Sequence, residues 1–234
     1  MGNHKGAPPT ERIQFLSFNK MQQKRKVGRP AGRESINKEA ILKVALEAFA
    51  EFGFEGVSVS TIAKRAKVHD SLLHYHFGSK LDIWKKSITA SSIKYDEESK
   101  KTVRLFKGAD TTLLGKALIR HFIYFMSENI ELHKVLMHEL TQTTERTEWV
   151  MKAALTPFSE KVDAFYKSYM NVESAFKMSP ANYLSITFGM MSAFFTLAPL
   201  MQKKYAVDVF EEAEIEQHVD LVTDMLFATV FKKK

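Results

Sequence analysis

The 234-residue chain is predicted to be all-α, and three observations carry that prediction. Apolar residues recur at intervals of three and four from about residue 37 onward, the spacing that gathers them on one helical face. No stretch alternates apolar and polar residues with the two-residue period of a half-buried strand. Glycine, proline and small polar residues stand at the ends of the periodic runs, where helix caps and stops belong.

Composition narrows the function classes. Hydrophobic residues make up 45% of the chain, enough for a sizeable core in one large domain or two smaller ones. There is no cysteine, which excludes a disulfide framework and a thiolate metal site and fits a reducing, cytoplasmic setting. The net charge of +7 is unevenly placed. Residues 1–33 carry eight basic side chains against Glu11 alone, whereas 26 basic and 26 acidic residues balance over the remainder. A basic tail on a neutral body favours a polyanionic partner.

Residues 1–34 show little periodicity and are read as a flexible basic arm. They contain no apolar core of a signal peptide, and Gly6 stands where a myristoylation site needs Ser or Thr. Met21 is an alternative natural start. Within the arm, KRKVGRPAGR (residues 24–33) places Lys26 and Arg29 on extended backbone that suits a narrow, electronegative minor groove.

Asn37 is positioned to cap a first helix running to about Phe52, with Ile41, Leu42, Ala45, Ala48, Phe49 and Phe52 on its apolar face and Gly53 as its stop. Ser58 or Ser60 caps a second, which turns Ile62, Ala63 and Ala66 inward and Lys64, Arg65 and Lys67 outward. A third opens near Ser71 and buries Leu73 and Phe77, four apart. Two short helices joined by about three residues make a helix-turn-helix.

At these residues the chain resembles a known family. Over residues 37–86, through ILKVALEAFAEFGFEGVSVSTIAKRAKV and LLHYHFGSKLDIW, it is similar to the DNA-binding domain of TetR/AcrR bacterial transcriptional regulators. GRPAGR resembles the arm that often precedes that domain. The resemblance implies that His69, Asp70, Ser71 and Leu72 meet base edges. It puts His74, Tyr75 and His76 at the family's aromatic and histidine positions, and makes Lys80 the lysine that clamps a phosphate. Ser58, at a helix N-terminus, offers its hydroxyl and backbone N–H to another phosphate. Lys67, His69, Asp70, Ser71 and His74 depart from the usual family residues, so the DNA sequence read is not legible from them.

Histidine spacing argues against metal. His74 and His76 are two apart, His133 and His138 five apart, and no HExxH occurs. Nor do Asp163, Glu139, His121 and His138 form a recognisable catalytic spacing, so neither an enzyme nor a resident cofactor is expected.

Further helices are predicted from Ser79 to about Phe106, over residues 111–129 and over 130–140. Another covers residues 147–170 and is kinked at Pro157. Residues 178–202 carry no charge, long enough to raise a membrane span. Polar residues dilute that run, and Ser185, Gly189 and Ala193 make a four-residue stripe suited to close helix approach. The last helix, about 209–231, is amphipathic at Ile215, Val219, Val222, Leu226 and Val230.

The resemblance implies that the last two helices pair with a symmetry mate, which assigns Ser185, Gly189, Ala193, Val219, Val222 and Leu226 to a homodimer interface and leaves no membrane partner. It also implies a ligand cavity, for which Phe122, Phe125, Met126, Met137, Trp149, Phe158, Phe188 and Met191 are the candidates. Aromatic and Met walls suit a mainly apolar small molecule. The expected organisation is an arm (1–34), a helix-turn-helix DNA-binding domain (35–83) and a helical effector-binding and dimerisation domain (84–234). The implied function is a homodimeric repressor that a small effector releases from double-stranded DNA. A membrane-associated adaptor and a helical-domain enzyme are the alternatives.

Overall fold

The computed structural model describes residues 37–170 and 178–230, and the described residues from Lys38 onward form one compact unit. The basic arm with Lys26 and Arg29 lies outside the described residues. Among those described, every regular element is helical.

Helix α1 (Lys38–Phe52) begins one residue after Asn37 and ends at Gly53, whose φ is +69°. It buries Ile41, Ala45, Leu46, Ala48 and Phe49, as its spacing requires. Phe52 is the exception, 49% exposed beneath the Arg65 guanidinium, which lies 5.0 Å from its ring centre. Helices α2 (Val59–Ala66) and α3 (Asp70–Phe77) follow and pack on each other and on their neighbours.

Helix α4 (Lys80–Leu105) is 26 residues long, and a reciprocal capping box starts it. Asp82 N donates to Ser79 Oγ at 3.2 Å, while Ser79 N and Oγ donate to the Asp82 carboxylate at 2.9 and 2.6 Å. Its first turns bury Ile83, Trp84, Ser87 and Ile88 against the helix-turn-helix. Farther on it packs against α5 (Thr111–Glu128), which is capped by Asp110. Helix α6 (Ile130–Leu140) follows with Asn129 as the hinge. Both α4 and α6 contact α1, so the helix-turn-helix is seated on the body along two helices.

The predicted kink at Pro157 takes a different form. Helix α7 (Glu145–Val150) runs into a π-helical turn at Met151–Leu155 before α8 (Thr156–Met170). Pro157 has no N–H to give an i−4 carbonyl, and the widened turn just before it absorbs that break in the ladder. The uncharged stretch divides into α9 (Pro180–Thr196) and α10 (Ala198–Tyr205), bent by 57° at Leu197. No single helix among the described residues is long and apolar enough to cross a membrane.

Helix α11 (Glu212–Val230) packs on α5 and α9. Gly115 allows the close approach to α5: a Cβ there would fall 2.5 Å from Phe165 and 2.7 Å from Phe227. Polar links tie the same pair of helices. Arg120 pairs with Glu216, and the Tyr124 hydroxyl donates to Glu212 at 2.9 Å and also bonds Glu216. Burial alone would raise the Glu216 carboxyl, but the Arg120 and Tyr124 bonds outweigh it and hold the group below the usual carboxylate range.

This packing corrects part of the expected dimer face. Val219, Val222 and Leu226 are 3%, 3% and 6% exposed within one chain, so they form its own core. The amphipathic stripe of α11 is real, but its apolar face is turned to α5. Leu221 and Met225, on the other side, are 54% and 58% exposed.

Candidate nucleic-acid interface and ligand cavity

Local chemistry sets the helix-turn-helix. Ser58 holds the start of α2 by accepting from Thr61 N at 3.0 Å. Lys67 ends that helix in the left-handed conformation, with φ 57° and ψ 42°, and Val68 N returns to Ala63 O. The turn thus demands a backbone shape that glycine adopts freely and lysine only at a cost. His69 then precedes α3 without a side-chain cap bond.

Helix α3 buries Leu73 and Phe77 and leaves His69, Asp70, Ser71, His74 and Tyr75 exposed, with Leu72 and His76 half-buried. Tyr75 is 85% exposed, its ring edge-on to His76 at 4.8 Å. Such a hydroxyl-bearing aromatic, held out from a short rigid helix, is a ready hydrogen-bonding contact. Lys64 and Lys67 are exposed on the adjoining helix.

Three of the expected contact residues have internal partners. Asp70 accepts a short hydrogen bond from the Ser60 hydroxyl, which ties α3 to α2. His74 Nδ1 bonds Gly78 O at 3.2 Å and closes the end of α3. Lys80 Nζ donates to Phe54 O at 3.0 Å and lies 4.3 Å from the Phe54 ring centre. Its ammonium therefore belongs first to the junction between the helix-turn-helix and the body, a tertiary contact invisible in local spacing.

That junction is densely connected. Phe54, in the loop after α1, stacks on Phe49 and meets Trp84 edge-on at 5.9 Å. The Arg146 guanidinium is also 4.3 Å from its ring centre. Arg146 Nη1 reaches Glu55 at 3.1 Å, and Nε reaches Glu139 at 3.3 Å. Glu139 is 1% exposed, so Arg146 joins a buried carboxylate of α6 to the loop after α1. Trp149 belongs here too. It packs on Trp84 at 5.4 Å and lies outside the cavity walls, which corrects its assignment as a ligand residue. Its position one turn after Arg146 on α7 turns it toward α4.

The larger cavity, about 400 Å³, lies among α4, α5, α6, the π turn, α8 and α9. Phe122, Phe125, Met126, Met137, Phe158 and Phe188 all line it. Met191 lines a smaller space of about 70 Å³ that shares Tyr95, Phe122, Phe158 and Lys161 with the first. Phe122, Phe158 and Phe188 stand between 4.9 and 6.2 Å apart as one aromatic cluster.

Sequence reading missed the polar members of these walls: Tyr95, Asp96, Lys100, His133 and Lys161. At the rim, Asp96 bonds both Lys100 and Lys161, at 2.6 and 2.8 Å, which holds its carboxyl below the usual range. Burial pushes the Tyr95 hydroxyl pKa upward. It also lowers His133 to about 4, so that imidazole is neutral at pH 7. Spacing tests His133 only as a metal ligand, and its helical register beside Leu132 and Leu136 is the clue to a place in the wall. Among the described residues no cluster of metal-ligating side chains occurs.

Residues 41–85, which span the three short helices and the start of α4, match the family model described as bacterial regulatory proteins, tetR family. This segment is a tetR-family domain. A curated relative is similar over a stretch of comparable length: the transcriptional repressor NicS of Pseudomonas putida is 38% identical over 58 residues, 25% of this chain and 27% of NicS. That match spans about a quarter of the relative. The negative regulator IcaR of the Staphylococcus aureus biofilm operon is 23% identical over 197 residues, 84% of this chain and 100% of IcaR. Among solved structures, the transcriptional regulator FadR from Bacillus subtilis, in complex with stearoyl-CoA, superposes with a TM-score of 0.59. It is 20% identical and covers 79% of this chain and 96% of its own, so the tetR-family domain and the helical body after it share that fold.

Proposed function

We propose that the protein is a homodimeric transcriptional repressor that binds double-stranded DNA and is released by a small, mainly apolar ligand held in the 400 Å³ cavity. The observation that carries this reading is a shared wall. Leu132, His133, Leu136 and Met137 of α6 line the cavity, and Glu139 of the same helix holds Arg146 against Phe54 of the DNA-binding helices. A ligand that repositions α6 must therefore act on that grip. It shifts the DNA-binding state only by binding the two arrangements with different affinity.

In the dimer, two α3 helices enter successive major grooves about 34 Å apart. Tyr75 and His69 face base edges, while Lys64 and the basic arm meet phosphates. The relatives NicS and IcaR are described as a repressor and a negative regulator, which supports repression here. The stearoyl-CoA bound by FadR supports an apolar, chain-bearing ligand class.

Selection of duplexes from a random pool, with and without a cell metabolite extract, tests the proposal. The expected result is a near-palindromic site whose retention falls as salt rises and is lost with the extract. Failure to retain any duplex at low salt sinks it. So does retention unchanged by Tyr75→Ala with Lys64→Ala.

A further inference from the structure

The cavity wall contains an imidazole one of whose nitrogens is already hydrogen-bonded. His133 is 2% exposed on α6 and lines the cavity beside Leu132, Leu136 and Met137. Its Nε2 lies 2.9 Å from Thr196 Oγ1 at the end of α9. That hydroxyl donates its own hydrogen to Ser192 O at 3.1 Å, so towards the imidazole it accepts. Nε2 therefore carries the ring hydrogen, and Nδ1 of the neutral ring is left with its lone pair. Burial keeps the ring in this form, because protonation requires a pH near 4. The remaining ring nitrogen is an acceptor on the α6 side of the cavity, where its lining neighbours are Leu132, Leu136 and Met137. The charged members Asp96, Glu97, Lys100 and Lys161 come from α4 and α8.

We propose that His133 Nδ1 is the recognition point for the effector, and that the effector is a mainly apolar molecule presenting a hydroxyl or another hydrogen-bond donor to it. This rests on the ligand-cavity reading above and narrows its ligand class. A carboxylate at the same place sets lone pair against lone pair and loses its hydration, so an anionic group is excluded from that end of the ligand. Thr196 acts as the positioning residue: its bond to Ser192 O is what compels Nε2, and not Nδ1, to carry the hydrogen.

Calorimetric titration of the full chain near pH 7.5 with 1-decanol, decane and decanoate tests the assignment. One neutral hydrogen bond is worth about a tenfold preference for 1-decanol over decane, and decanoate binds more weakly than the alcohol. His133→Phe keeps a planar apolar ring but removes the acceptor. It is expected to bind decane undiminished and to treat decane and 1-decanol alike. Thr196→Val leaves the imidazole in place and frees its tautomer, and several-fold of the alcohol preference is expected to disappear. This second variant decides the question if His133→Phe does not fold. An alcohol preference that survives both substitutions, or decanoate binding best to the unaltered chain, overturns the proposal. Equal binding of decane and 1-decanol to the unaltered chain removes the donor inference and leaves the cavity reading intact. If none of the three binds, the cavity reading falls and this one with it.

Discussion

Lys67 shows how one backbone conformation can be read from a residue that seems out of place. The helix-turn-helix needs a left-handed residue between α2 and α3, and lysine occupies it at φ 57°. The side chain is exposed, so the strain is unrelieved by packing. Lys67→Gly removes the Cβ penalty but loosens the unfolded chain, and the balance is a gain of about 0.5–1 kcal/mol. Urea unfolding checks it: the midpoint is expected to rise with an unchanged slope. A lowered midpoint means that the lysine makes a compensating contact. Gly78, at φ +91°, admits no such improvement, because a Cβ there meets Asp82 Oδ2 at 2.8 Å inside the cap of α4.

At the scale of elements, the proposed coupling runs through the junction of α6, α7 and the loop after α1. Glu139 is buried and its Oε1 pairs with Arg146 Nε, while Arg146 also reaches Glu55 and Phe54. Removing the cation leaves a buried carboxylate without its partner, a loss of about 3 kcal/mol. Arg146→Met is therefore expected to destabilise strongly, and Glu139→Gln with Arg146→Met to recover much of the loss. The double variant also separates stability from signalling. It is expected to bind operator DNA while its release by ligand weakens several-fold, measured by fluorescence anisotropy with and without effector. Full release in the folded double variant means that coupling runs elsewhere, with α4 and its Trp84–Trp149 contact as the remaining route.

At the scale of the whole molecule, the face left over by folding points to self-association. On α9, Ser185 and Ala193 are exposed, and a Cβ at Gly189 meets nothing within 4 Å. Ile186 is 45% exposed, and on α11 Leu221 and Met225 are more than half exposed. Gly189→Leu is tolerated by the single chain, since the space there is open, but it fills the groove a second α9 needs. Sedimentation is expected to show a monomer with unchanged helicity and operator affinity reduced at least a hundredfold. A dimer that persists places the interface on another surface. Val219→Glu, by contrast, is expected to unfold the chain, because Val219 lies in the core.

Much of this architecture was legible in the residues. Helix boundaries from α1 to α6 followed apolar spacing and local caps, because Ser58, Asp110 and the Ser79–Asp82 pair act within three residues of themselves. The exposed edge of α3 followed from Leu73 and Phe77, whereas the cavity candidates came from the family resemblance and not from spacing. Local rules did not reach the partners of Asp70 and Lys80, Ser60 and Phe54, which are brought near by the chain folding back.

Within residues 57–80, packing separates the side chains that have internal partners from those held outward. What the sequence by itself determined is the all-helical class, the helix-turn-helix and the uneven placing of charge, since each depends on periodicity, capping or composition. Only the tertiary structure decided which apolar stripe faces inward. Val219, Val222 and Leu226 have the same amphipathic pattern whether they pack on α5 or on another molecule, and Trp149 is aromatic whether it lines a cavity or braces α4. Periodicity names a buried face; only three-dimensional packing says what buries it.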